Sequence, residues 1–205
     1  MPPEQTPHSI SCIIYTDGQV IIGEVRSLHW RLSDALNSLT QNYLMMFNVR
    51  RKTLGRGPED EEQLARYLVR VDAIVLALPT EAQEQVDMVQ SESHRTLRVP
   101  RGPIRTTLRT HAWVMEGILH LPEGVELLQH MHYRQRSFLP MTDVHVISAY
   151  GSFTTPFVLV HRERVEGIAE WAAPTGVWPP VGAQPRRSRA TWWARTGSAQ
   201  ARPAA

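Results

Sequence analysis

Apolar residues along this chain fall into short runs of strand-like character divided by turn signals, and helical spacing is clear in one place. The run ending Ile13-Ile14-Tyr15 and the run Val20-Ile21-Ile22 meet at Asp17-Gly18, which predicts two strands joined by a turn, the second ending near Arg26. Gly23 lies inside the second strand, where a bend, bulge or close approach needs a missing side chain. Leu32, Ala35, Leu36 and Leu39 then recur at helical spacing, with Asp34 near the start. Further apolar segments around 43–51 and 66–78 predict two more strands, so the order is β-β-α-β-β.

The second half of the chain carries the same pattern. Thr16, Val20 and Gly23 fall on Thr110, Val114 and Gly117; one residue further out of register, Leu32 and Leu36 fall on Leu127 and Met131. The run Tyr43-Leu44-Met45-Met46-Phe47-Asn48-Val49 falls on Phe138-Leu139-Pro140-Met141-Thr142-Asp143-Val144, and Tyr67 to Ile74 falls on Val158 to Val165. Strands are expected around 138–147 and 156–169. Four elements matching in order and character predict an internal duplication. The expected fold is mainly β (α+β), two tandem ββαββ small-barrel-like modules at 9–79 and 104–172. A linker at 80–103, with a short helix around 81–90, would join them, and a disordered tail would occupy 173–205. A four-stranded sheet with one short helix buries a marginal core, so the modules are expected to pack on each other or on another copy.

Composition bounds the alternatives. A chain of 205 residues with 42% hydrophobic and 20% charged residues is ordinary for a folded protein. No run approaches the roughly 18 uninterrupted apolar residues of a membrane helix, and the N-terminus lacks a basic segment followed by an apolar one, so a cytoplasmic location is expected. Net charge is +2, which argues against a surface built wholly for nucleic acid. The single cysteine, Cys12, lies at the first strand and reads as a small buried hydrophobe.

The strings Arg31-Leu32-Ser33-Asp34-Ala35-Leu36-Asn37, Phe138-Leu139-Pro140-Met141-Thr142-Asp143-Val144 and Leu159-Val160-His161-Arg162 resemble an uncharacterised bacterial domain family. Its members carry an Arg-Leu-Ser-Asp-x-Leu-Asn helix, a Phe-Leu-x-Leu-Thr-Asp-Val strand and a Leu-Val-Asn-Arg-like strand. Gly117-Ile118-Leu119-His120-Leu121-Pro122-Glu123-Gly124 is similar to that family's strand and Leu-Pro-x-Gly turn. The resemblance implies no particular activity. A second resemblance, to Sm-like barrels, rests on Asp17-Gly18-Gln19-Val20-Ile21-Ile22-Gly23-Glu24-Val25 and on Val69-Arg70-Val71-Asp72-Ala73-Ile74, and bears on architecture alone.

Candidate chemistry is sparse. Phosphate loops, dinucleotide fingerprints, Gly-x-Ser-x-Gly elbows, His-Glu-x-x-His helices and paired-cysteine zinc motifs are all absent from the sequence. The second half holds His111, His120, His130, His132, His145 and His161, which would bind zinc if three converged and are otherwise scattered side chains. On the predicted helix, Arg31, Asp34 and Asn37 can form a recognition face, while Ser33 or Asp34 can equally cap it. Asp143 and Arg162 are further candidate ligand or partner contacts, and Asn48 matches Asp143 in position; turn-capping is the commoner use of Asn and Asp.

The tail interleaves Arg186, Arg187, Arg189 and Arg195 with Trp192 and Trp193, and it has no acidic residue. Arginine neutralises phosphates and indole stacks on unpaired bases, so these six are the candidate nucleic-acid contacts. The expectation is a non-enzymatic binding or regulatory module with no catalytic residue, metal or cofactor. Its partner would be an unknown protein or a second copy. The alternatives are a nucleic-acid-associated protein acting through the tail and an enzyme with an unrecognised site in the second half.

Overall fold

Thr16 closes the first turn: its Oγ1 accepts from the Gln19 backbone N–H at 3.0 Å, so β1 (His8–Tyr15) reverses into β2 (Gln19–Ser27) with Tyr15 opposite Val20. The computed structural model describes residues 6–80, 101–132 and 137–171. Within them α1 (Leu32–Asn37) follows β2, then β3 (Tyr43–Thr53), β4 (Glu62–Arg70) and β5 (Leu76–Pro79). The later run comprises β6 (Arg101–Arg109), β7 (Trp113–Pro122), α2 (Leu127–His132), β8 (Phe138–Ser148), β9 (Gly151–His161) and β10 (Gly167–Glu170).

All ten strands form one antiparallel sheet in the order β10-β6-β7-β8-β9-β5-β1-β2-β3-β4. The protein is therefore mainly β, but the strands expected as two tandem small barrels are parts of one continuous sheet with β10 and β4 at its ends. The expected strands at 66–78 and 156–169 are each divided. A 3-10 turn at Val71–Ala73 separates β4 from β5, and one at Arg162–Arg164 separates β9 from β10. These turns let the chain leave one strand and join another elsewhere: β5 pairs with β1 and β10 with β6. The start of β6 takes up residues 101–103 of the expected linker. The rest of that linker with its expected helix, and the tail at 173–205, lie outside the described residues.

Gly23 and Gly117 each sit where the register of the adjoining strand pair shifts. Glu24 pairs with Phe47 and Ile22 with Arg50, so Gly23 faces two residues, Asn48 and Val49. Glu116 pairs with His145 and Ile118 with Thr142, leaving Gly117 opposite Asp143 and Val144. The extra residue in each bulge is left-handed, Asn48 at φ 50° and Asp143 at φ 52°, a conformation Asn and Asp tolerate better than other side chains. A Cβ on Gly23 would lie 2.8 Å from the Phe47 carbonyl oxygen; on Gly117 it would lie 2.9 Å from Val144 Cγ2.

Two apolar clusters share the central strands. Cys12, Ile14, Ala77 and Leu159 enter one; Tyr15, Leu76, Leu78, Val158 and Val160 enter the other. Successive strand residues point to opposite faces, so β1, β5 and β9 send alternate side chains into different clusters. Burial of all four β5 residues follows from this position at the middle of the sheet.

Candidate interaction surface

The β5–β9 pairing joins the two runs. Leu76 faces Val160, Ala77 faces Leu159, and the His161 N–H donates to the Val75 carbonyl at 3.0 Å. Behind it Leu32 and Leu36 of α1, Ile74 and, in β5, Ala77 share one buried apolar cluster with two side chains of the later run: Phe138, the first residue of β8, and Leu159, third from the end of β9. Asn37, the last residue of α1, locks Phe138 in place. Its carboxamide donates to the Phe138 carbonyl at 3.2 Å and accepts from the Phe138 N–H at 2.9 Å. Arg164, in the turn before β10, also forms an ion pair with Asp17 of the first hairpin turn.

Among the described residues, a groove lined from corresponding positions lies at the far end of the sheet. Leu127 and Met131 hold the first and fifth positions of α2, as Leu32 and Leu36 do in α1. Val165 follows its 3-10 turn as Ile74 follows the earlier one, and Ile168 is second in β10 as Ala77 is in β5. These residues, with Ile104, Leu128 and the carboxylate residues Glu126, Glu166 and Glu170, line a groove of about 940 Å³. Ile168 is 37% exposed and Leu128 66%, whereas Ala77 and Leu159 at the internal joint are fully covered.

At the opposite end, among the described residues, β4 is hydrogen-bonded to no strand but β3. Tyr43, the first residue of β3, and Leu68, third from the end of β4, occupy the element positions that Phe138 and Leu159 hold in β8 and β9. Tyr43 is 50% exposed, Leu68 53%, and Met45, opposite Leu68, 40%. Among the described residues the sheet thus ends in a groove with apolar and acidic lining on one side and in exposed apolar side chains on the other.

The candidate residues from the sequence are dispersed. Arg31 is the N-cap residue of α1 and Asp34 is exposed in its first turn; neither Ser33 nor Asp34 supplies a side-chain cap, because the helix has none. Asn37 contacts the chain's own later run. Asp143 is an exposed bulge residue, and Arg162 opens the turn after β9, its N–H donating to the Ser137 carbonyl at 2.7 Å. Arg186, Arg187, Arg189, Trp192, Trp193 and Arg195 lie outside the described residues.

The histidines divide among separate surroundings. His120 Nε2 lies 2.8 Å from Thr142 Oγ1, His111 is exposed, and His161 is buried with its ring edge-on to Phe138 at 4.7 Å. Burial pushes the His161 imidazole below its ordinary value, the chief cause of that shift. Among the described residues no three His, Cys, Asp or Glu side chains gather in a group able to hold a metal ion. Burial also pushes the Cys12 thiol up to about 12. No helix among the described residues is long and apolar enough to cross a membrane. β10 carries no separate signal in the sequence, which keeps Ile168 and Leu128 out of the expected site, although the Leu68–Leu159 correspondence is present in the repeat itself. Comparisons with protein-family models, with curated proteins and with solved structures find no match to this chain.

Proposed function

We infer that this protein is a non-enzymatic binding module, built from a duplicated ββαββ unit, that recognises an extended protein segment along β10 and in the adjoining groove. The observation that carries the reading is the groove of Leu127, Met131, Val165 and Ile168 beside a strand that, among the described residues, is paired along one edge only. Added strands gain main-chain hydrogen bonds from such an edge and specificity from pockets that receive alternate side chains. Duplication is supported by the paired bulges at Gly23 and Gly117 and by the same order of strands and α-helices in both runs. Selection of displayed peptides against the full chain, with Met131→Glu as the counter-target, tests it. The expected result is enrichment of segments with alternating apolar residues; equal recovery on both targets would overturn the reading.

A second reading, association with nucleic acid, is favoured by a different surface. Arg26 and Arg66 both approach the Phe47 ring, at 4.4 Å and 5.8 Å from its centroid, and both arginines are exposed. Arginine beside an aromatic ring can bind a phosphate and stack a base. Binding of a labelled single-stranded RNA that weakens steeply with salt and with Phe47→Ala is expected under this reading. Binding unchanged by both would exclude it.

A further inference from the structure

The internal joint is a template for what the α2–β10 groove receives. Resting on the binding role of that groove, we propose that copies of this chain associate head to tail, β4 of one copy adding antiparallel to β10 of the next, with Tyr43 and Leu68 seated in the α2–β10 groove.

The joint between β9 and β5 already makes this contact once inside each chain. Among the described residues it leaves over one element of each kind: β4, the counterpart in order of β9, and β10, the counterpart of β5. Transferring the register Val160–Leu76 and Leu159–Ala77 to the free ends sets Val69 opposite Gly167 and Leu68 opposite Ile168. Two exposed large hydrophobic residues are thereby brought together and covered. The same register places Arg66 opposite Glu170, both exposed on the side that bears Leu68 and Ile168, and brings Arg70, which is ion-paired with Asp72 of its own chain, opposite Glu166 just before β10. An opposite-charge pair stands beside the apolar pair, an arrangement that cross-strand neighbours favour, and a shift by one residue would break both pairings at once. The hydrogen bond from His161 N–H to the Val75 carbonyl predicts its counterpart, Arg70 N–H to the Glu166 carbonyl of the next copy.

Tyr43 would enter the α2–β10 groove as Phe138 enters the apolar cluster it shares with α1 and β5. His132, the last residue of α2, then stands where Asn37 stands at the internal joint. The two surfaces of this contact differ, so it is heterologous, and each copy keeps one open end for another.

Native mass spectrometry and light scattering on the full chain test the proposal. Expected is a species of two or more copies of the 23.3 kDa chain. Leu68→Arg and Ile168→Arg change exposed positions, so both variants should keep the parent circular dichroism and melting temperature while falling to the monomer mass. Mixed together, the two variants should form a one-to-one heterodimer, since Leu68→Arg retains a sound β10 end and Ile168→Arg a sound β4 end. A monomeric parent chain overturns the proposal, including the case in which residues 172–205 of the same chain cover the groove. Variants that each remain dimeric, or that fail to combine on mixing, overturn it as well. A monomer that still selects peptides dependent on Met131 would refute self-association and leave the binding role standing; a monomer that selects none refutes both.

Discussion

Asn37 holds the backbone of Phe138 by both its N–H and its carbonyl across 101 residues of sequence. The carboxamide mimics one rung of a β-ladder, so the end of α1 acts as a small strand edge for the first residue of β8. Both partner groups belong to the joint between the two runs, where Phe138 is fully buried. Removing the amide in Asn37→Ala is expected to cost about 1–3 kcal/mol, the range for leaving partly buried hydrogen-bonding groups unsatisfied. Asn37→Asp keeps an acceptor for the Phe138 N–H but loses the donor to its carbonyl, so it should also destabilise. Urea unfolding checks both, and a loss below a few tenths of a kcal/mol in Asn37→Ala would contradict the role assigned to this side chain.

Gly23 and Gly117 should tolerate alanine poorly for the same steric reason. The added methyl meets backbone in each case, 2.8 Å from the Phe47 carbonyl oxygen and 3.0 Å from that of Thr142, and backbone cannot turn aside as a side chain can. Alanine gains about 0.4–1 kcal/mol by restricting the unfolded chain. An overpacked site costs about 1–3 kcal/mol, so the net change should be destabilising. Gly18→Ala is the control, because nothing lies within 4 Å of its added Cβ. Thermal unfolding should lower the melting point of Gly23→Ala and Gly117→Ala and leave that of Gly18→Ala near the parent value.

Cys12 should report unfolding rather than surface chemistry. Its side chain is fully buried between β2 and β5, and burial raises its pKa from 9.0 to about 12, so the reactive thiolate is scarce at mildly alkaline pH. Ellman's reagent should modify the native chain at the rate at which it unfolds and the denatured chain at once. Rapid labelling of the native chain would show that β1 opens locally.

How much of the fold and of the candidate surface is legible in the sequence depends on what each residue faces. Leu32, Ala35 and Leu36 identify α1 because a helix with one buried stripe repeats its apolar positions. The bulge glycines are legible because a missing side chain inside an apolar strand has few uses. The division of 66–78 into β4 and β5 is not, because Val71 and Ile74 continue the apolar run across the 3-10 turn, and nothing local marks the change of strand. The unbroken run Ile74-Val75-Leu76-Ala77-Leu78 does hold a signal, since burial on both faces removes alternation. Asn37 reads as an exposed recognition residue because its partner, Phe138, is remote in sequence and lies in the other run.

His161 gives the fold a pH dependence whose sign follows from its burial. Desolvation lowers its pKa below the ordinary 6.5, Arg164 and Arg162 act in the same direction, and Glu163 and Asp72 oppose them. The unfolded chain therefore binds a proton at a higher pH than the folded one. Stability is fully present above about 6.5 and falls as pH drops through the window between the unfolded and folded values, where the unfolded state holds more protons. Below the folded value this contribution stops changing. His161→Leu places an apolar side chain beside Phe138 and removes the titration, so its melting temperature should decline less than the parent's on acidification through that window. Parallel profiles for the two proteins would show that His161 titrates alike in both states, and the buried imidazole would then have no part in acid sensitivity.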